Sequence, residues 1–214
     1  MTDTKSRSAT ATLIRNEPVQ ARSTARLAAL LDAAAAVIDE IGYERLTTAM
    51  VAERAGASIG TVYRYFPDRI AVLQSLAARN AERTTERSLE ELRGDGHENW
   101  AQALSAAFGV FTEAFRHEPG FASIRLGDVL DLRPVTTRPA WGVLSDRMFD
   151  VLVERFGLDG SDEAREAFTS AVVMSDAIAA RAYERDAKGY APYLEHGRTA
   201  TYALLAPYFG AVEF

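Results

Sequence analysis

The chain has 214 residues, with 24 Lys and Arg against 30 Asp and Glu, a formal net charge of −6 and no cysteine. That length is ample for one or two helical domains with a buried core, and the missing thiols exclude disulfides and thiolate metal sites. Residues 1–26 lack the apolar run of a signal peptide and no stretch approaches the roughly 20 apolar residues of a membrane span, so the protein is expected to be cytoplasmic, with no membrane partner.

The charge is unevenly placed. Residues 1–70 hold nine basic and eight acidic side chains, a balance of +1, which leaves 15 against 22, or −7, for residues 71–214. Lys5, Arg7, Arg15, Arg22 and Arg26 stand against Asp3 and Glu17 in residues 1–31. Residues 1–22 therefore read as a flexible basic arm, polar enough to stay unfolded alone and charged to follow phosphates or enter a minor groove. A solvated tail with incidental charge fits Lys5 and Arg7 equally.

Every segment beyond the arm has helical periodicity, and none sustains the alternation of a strand. A first helix is predicted from about Thr24 to Ile41, with Leu27, Leu30, Leu31, Ala34, Ile38 and Ile41 on one stripe and Gly42 as terminator. After the segment 47–69, a helix opens near Pro67 and Asp68 and runs to about Leu92; RGDGHEN, residues 93–99, is a loop. Trp100, Leu104, Phe108, Phe111 and Phe115 mark the next helix, ended by Pro119 and Gly120, and a shorter helix follows from about Phe121 to Leu130. LRPVTTRP is a loop, Trp141 to Phe156 a helix, and two last helices occupy about Asp162 to Ala187 and Ala191 to Gly210. The expected fold is all-α with about nine helices: an arm (1–22), a three-helix head (23–69) and a larger helical domain (70–214).

The segment TTAMVAERAGASIGTVYRYFPDR, residues 47–69, carries the chemistry. Thr47 and Thr48 can cap a helix whose apolar face is Val51, Ala52 and Ala55, and Gly56 stands where a left-handed residue ends it. Ser58 offers a second cap two residues later, so the next helix leaves at a steep angle, which is the helix-turn-helix pattern. In the second helix Ile59, Val62 and Phe66 are expected to face inward, leaving Gly60, Thr61, Arg64 and parts of Tyr63 and Tyr65 outside. For a duplex partner each type has a use. Gly60 lets the backbone come close, the amides of the first turn attract phosphate, and Thr61, Tyr63 and Tyr65 supply hydroxyls for phosphate oxygens. Arg64 suits a guanine edge or a phosphate. Two ordinary core helices whose tyrosines pack inward satisfy the bare pattern as well.

The string AGASIGTVYRYFPDR, with the helix ARLAALLDAAAAVIDEIGYERLTT before it, resembles the tetracycline-repressor (TetR) family of bacterial transcriptional regulators. Ala55, Gly56, Ser58, Gly60, Thr61, Tyr63, Tyr65 and Phe66 agree with the family's run; Ala57 replaces its valine, Val62 its leucine and Arg69 its lysine. Arg69 keeps the charge but not the geometry of lysine. The resemblance spans about residues 24 to 70. It implies DNA contacts from Arg22, Thr47, Thr48, Ser58, Gly60, Thr61, Tyr63, Arg64, Tyr65 and Arg69.

Two further expectations follow from the resemblance. The last two helices, with stripes containing Phe168, Val172, Ser175 and Ala179, and Leu194, Thr201, Leu204, Leu205 and Tyr208, would pair with their copies in a homodimer, though the same stripes also suit this chain's own core. The middle of the larger domain would sense an unidentified small molecule. Trp100, Phe108, Phe111, Phe115, Trp141, Phe149, Met174 and Tyr183 suit an apolar or aromatic ligand, with Arg125, Asp128, Asp176 and Arg181 as polar anchors; plain core accounts for the same aromatics. His97, His117 and His196 have no metal-ligand spacing, and no phosphate loop, nucleophile elbow or catalytic cysteine is present. No catalysis, cofactor or metal is expected. The reading is a ligand-responsive regulator, most simply a repressor, that binds a palindromic double-stranded operator as a dimer; an all-helical binding protein using the helix-turn-helix only as scaffold is the alternative.

Overall fold

The computed structural model describes residues 21–125 and 140–212. Among the described residues nine α-helices follow in order and no strand occurs: α1 (Ala21–Ile41), α2 (Thr48–Arg54), α3 (Ile59–Tyr65), α4 (Arg69–Arg93), α5 (Trp100–His117), α6 (Phe121–Ile124), α7 (Ala140–Phe156), α8 (Asp162–Arg185) and α9 (Ala191–Phe209). The fold is all-α, as the periodicity required. Lys5, Arg7, Arg15, Asp128 and the loop 132–139 lie outside the described residues, as does the side chain of Trp141.

The helices form two compact units. One holds the chain to Asn80 with Pro119–Pro134, the other Ala81–Glu118 with Val135–Phe214, and the division falls inside α4.

In the first unit α1 buries its predicted stripe: Leu27, Leu30, Leu31, Ala34 and Ile38 are all within the core, and Ile41 packs against it half-buried. That core also takes Val51 and Ala52 of α2, Val62 of α3, Phe66, and Val72, Leu73 and Leu76 of α4. Fully burying each such side chain contributes about 1.5–3 kcal/mol before chain entropy is subtracted, so the head is held mainly by this seam. Ile59 departs from the expectation. It does not face inward but is 44% exposed, because α3 ends at Tyr65 and Phe66 has extended backbone (φ −126, ψ 117). The buried face of the short helix is Val62 with Tyr65, and Ile59 opens the element beyond that face.

The second unit is built on the α8–α9 pair. Gly197 allows the close approach: a Cβ there would stand 3.1 Å from Ile178 Cγ2. Ser175 Oγ lies 2.9 Å from Thr201 Oγ1 across the same seam. Beside it Phe149 of α7, Phe168 of α8 and Phe209 of α9 form an aromatic cluster with ring centroids 5.8–6.2 Å apart, a spacing that adds to their burial. Trp100 joins edge-on to Phe209 at 5.4 Å and to Tyr202 at 5.7 Å.

This packing corrects part of the expected dimer surface. Phe168, Val172, Thr201 and Leu205 are buried within a single chain, since they are the faces by which α8 and α9 hold each other and α7; they are not available to a second copy. Ser175, Ala179, Leu194 and Tyr208 are half-buried, and Leu204 is exposed. Replacing Phe168 with alanine should cost about 3–5 kcal/mol by leaving a cavity. The thermal midpoint should fall by the same amount at low and high protein concentration; a loss seen only on dilution would return Phe168 to an interface.

Candidate nucleic-acid interface

The head is ordered from the caps outward. Thr47 is the cap of α2, its hydroxyl accepting from the Met50 amide at 3.2 Å. At the other end Gly56 takes φ +57, the left-handed conformation that costs an L side chain energy. It lets the Gly56 amide reach Glu53 O at 3.1 Å and the Ala57 amide reach Ala52 O at 2.9 Å, the paired bonds of a Schellman ending. Ser58 then caps α3 at once: its hydroxyl accepts from the Thr61 amide at 3.1 Å and lies 2.9 Å from Thr61 Oγ1. An amide of the first turn proposed for phosphate is thus already satisfied inside the chain.

Tyr63 stands on the outer surface, 45% exposed, and Thr48 Oγ1 donates to its hydroxyl at 3.4 Å. The bond joins α2 to α3 through two side chains that the sequence assigned separately to DNA. Arg64 is exposed beside it, its guanidinium 5.5 Å from the Tyr65 ring centroid. Gly60 is exposed and Thr61 half-exposed on the same short helix, and Arg22 is exposed at the start of α1.

Tyr65 is the correction. Part of it was expected outside; it is 4% exposed, its hydroxyl donating to the Ser23 carbonyl at 3.4 Å and lying 3.0 Å from Ser23 Oγ. The ring belongs to the buried face of α3, and the hydroxyl, which must be hydrogen-bonded when buried, ties that helix to the first turn of α1. Arg69 is also engaged within the chain: its guanidinium donates to the Glu44 carbonyl, bridging the start of α4 to the turn after α1.

Two supports were not foreseen. Ser23 gave no signal beyond being a serine near a helix start. Arg54 of α2 donates to Glu40 of α1 at 2.6 Å, which holds the Glu40 carboxyl below its usual pKa through that hydrogen bond; a basic and an acidic residue 14 apart, each at the end of a predicted helix, were the only clue.

The expected ligand wall is scattered by the fold. Among the described residues Arg125 belongs to the first unit, whereas Trp100, Phe108, Phe111, Phe115, Phe149, Met174, Asp176, Arg181 and Tyr183 belong to the second. Trp100 and Phe149 serve the aromatic cluster just described. Phe115 stacks on Tyr183 at 4.8 Å with the planes 2° apart, and Tyr183 donates to Thr112 O at 3.3 Å; burial pushes the Tyr183 pKa up, so it remains a donor at neutral pH. Phe108, Phe111, Met174 and Asp176 are half-buried, while Arg181 is exposed and paired with Glu184. A cavity of about 270 Å³ lies along α9, bordered by Trp100, Glu195, Arg198, Tyr202 and Ala206 among others. Of the expected wall residues, Trp100 borders it. No helix among the described residues is long and apolar enough to cross a membrane.

A capped pair of short helices that buries Val51, Val62 and Tyr65 and turns Tyr63 and Arg64 outward, on a three-helix head, has the helix-turn-helix form of a DNA-binding protein. Residues 30–76 match the bacterial regulatory proteins of the tetR family. The HTH-type transcriptional repressor KstR of Rhodococcus jostii (strain RHA1) is 31% identical over 153 residues, 69% of this chain and 70% of that protein. Its namesake in Mycolicibacterium smegmatis is 44% identical over 54 residues, 25% of this chain and 26% of that one. A TetR-family transcriptional regulator from Streptomyces coelicolor superimposes with a TM-score of 0.72 at 31% identity, covering 85% of this chain and 98% of that structure. The chain belongs to the TetR family and is a DNA-binding transcriptional regulator.

The two tyrosines should separate cleanly. Tyr65→Phe should lower stability by about 1 kcal/mol through loss of a part-buried hydrogen bond, whereas Tyr63→Phe should change it by less than about 0.5 kcal/mol. Urea unfolding followed by helical circular dichroism measures both.

Proposed function

We propose that this regulator is a repressor that binds a palindromic operator as a homodimer and is released by a small apolar or aromatic effector. The observation that carries the reading is the pairing of Thr48 with the exposed Tyr63, which holds a phenol outward at the middle of the capped α3, beside Arg64. A hydroxyl that accepts from Thr48 has its own proton left to give, and a phosphate oxygen is an acceptor that a duplex offers to such a donor. Arg22, Thr47, Ser58, Gly60 and Thr61 supply the remaining candidate contacts. Arg69 serves the head by holding Glu44 O as well as by its charge.

Repression rather than activation is favoured by the name carried by the relative in Rhodococcus jostii. The dimer is carried over from the family, with Val173 of α8 and Leu204 of α9, both exposed, as its candidate contacts. Two copies of α3 related by a two-fold axis then match two half-sites. The effector acts from the second unit. Because α4 belongs to both units, a ligand that favours one arrangement of the second unit shifts the population of dimers whose reading helices fit the operator.

Selection of bound duplexes from a random library should return a palindrome of two half-sites; recovery of no preferred sequence at low salt would sink the regulator mechanism. With the selected operator, Tyr63→Ala should weaken binding to operator and to unrelated duplex alike while leaving the salt dependence unchanged, because the lost contact is uncharged. Arg22→Ala should reduce the salt slope by about 1. Titrating candidate apolar effectors into the operator complex should release DNA; a ligand that binds tightly and leaves operator affinity unchanged refutes the coupling.

A further inference from the structure

We infer that Ile59 is a base-reading residue that packs on a thymine methyl group, and that Gly60 is glycine so that the helix can approach closely enough for it to do so. This rests on the regulator reading above and adds the chemistry by which the outer face of α3 distinguishes one sequence from another.

The two residues stand side by side, and the buried face of α3 is formed without them. Ile59 is a β-branched apolar side chain on an element whose buried residues are Val62 and Tyr65, and it is 44% exposed. Gly60 sits in the first turn of the helix, where alanine is also accommodated and is the better helix former. No steric need keeps it there: a Cβ at Gly60 would meet only Ser58 Oγ at 3.8 Å, an ordinary contact, and its backbone is not left-handed. The polar groups around them are turned on each other, Ser58 Oγ receiving the Thr61 amide and lying 2.9 Å from Thr61 Oγ1. What the first turn of α3 shows to the outside is therefore a branched hydrocarbon next to bare backbone.

A duplex has one apolar group on its readable edges. The thymine 5-methyl projects into the major groove, and no such group is present in the minor groove or along the phosphates. An isoleucine on the outer face of a reading helix has that methyl as its only partner of like chemistry, and a side chain of its length reaches the base edge only if the backbone beside it comes close. The missing Cβ of Gly60 permits that approach.

The test uses full-length protein and the operator recovered by selection. Each thymine is replaced singly by deoxyuridine, which removes the methyl and nothing else. At one or two positions in each half-site the change should weaken wild-type binding about fourfold, the factor for burying one methyl-sized group, and Ile59→Ala should bind both forms of the operator equally. Ile59→Gln should shift the preferred base at that same position toward adenine, whose edge a carboxamide fits. Gly60→Ala should unfold at the same temperature as wild type, or higher, and bind every duplex more weakly. Wild-type indifference to deoxyuridine at all positions would overturn the inference, as would an unchanged methyl dependence in Ile59→Ala, or wild-type affinity in Gly60→Ala; in each case sequence-selective binding leaves the regulator reading standing. Failure to recover any preferred duplex overturns both.

Discussion

Two residues separate a left-handed helix ending from a helix beginning, and the reading head depends on that brevity. With Gly56 at φ +57 closing α2 and Ser58 capping α3, the chain has no room to relax the angle between the helices. Any other residue at Gly56 is strained, and loss of the Ser58 hydroxyl leaves the Thr61 amide only its bond to the Ser58 carbonyl. The angle decides which side of α3 meets the core formed by Leu30, Val51, Val62 and Phe66, and so which side is left for DNA.

The apolar seam and the polar ties then divide the work. Burial supplies the energy but no unique rotation of a seven-residue helix, because side chains of similar volume tolerate exchange. Directional bonds supply the rotation: Tyr65 to Ser23 from within, Thr48 to Tyr63 from outside, and Arg69 to Glu44 O at the start of α4. Each links α3 or its flanks to a different neighbour. The outer face of α3 is thus held in place by hydrogen bonds that water would otherwise compete for.

The second unit follows a different rule. Its aromatic residues were candidates for a ligand wall because their spacing is helical and their surfaces large. The fold spends Phe149, Phe168, Phe209 and Trp100 on one cluster and Phe115 with Tyr183 on another. An aromatic stripe reports only that a helix has a greasy side, and which neighbour covers it is a property of the assembled helices. The same ambiguity undid part of the dimer stripes: small residues let α8 and α9 come together, as Gly197 beneath Ile178 shows, but a stripe that packs two helices of one chain looks in sequence like one that packs two chains.

The residues by themselves determined the order of the helices and the helix-turn-helix, because capping, left-handed glycine and the 3.6-residue period act over a few positions and need no partner; the end of α6 was not among them, since that helix, expected to reach about Leu130, stops at Ile124 with Arg125 at φ 48. They also determined the family, through the run from Ala55 to Phe66. Only the tertiary structure decided orientation. Tyr65 and Ile59 exchange the sides expected of them because α3 stops at Tyr65 and leaves Phe66 extended, so the periodicity that placed residues 59, 62 and 66 on one face does not extend over all three. Which of two adjacent aromatic residues is wet, and which of two apolar stripes is covered, depends on contacts between residues as far apart as Ser23 and Tyr65, and no local pattern encodes a contact across 42 positions.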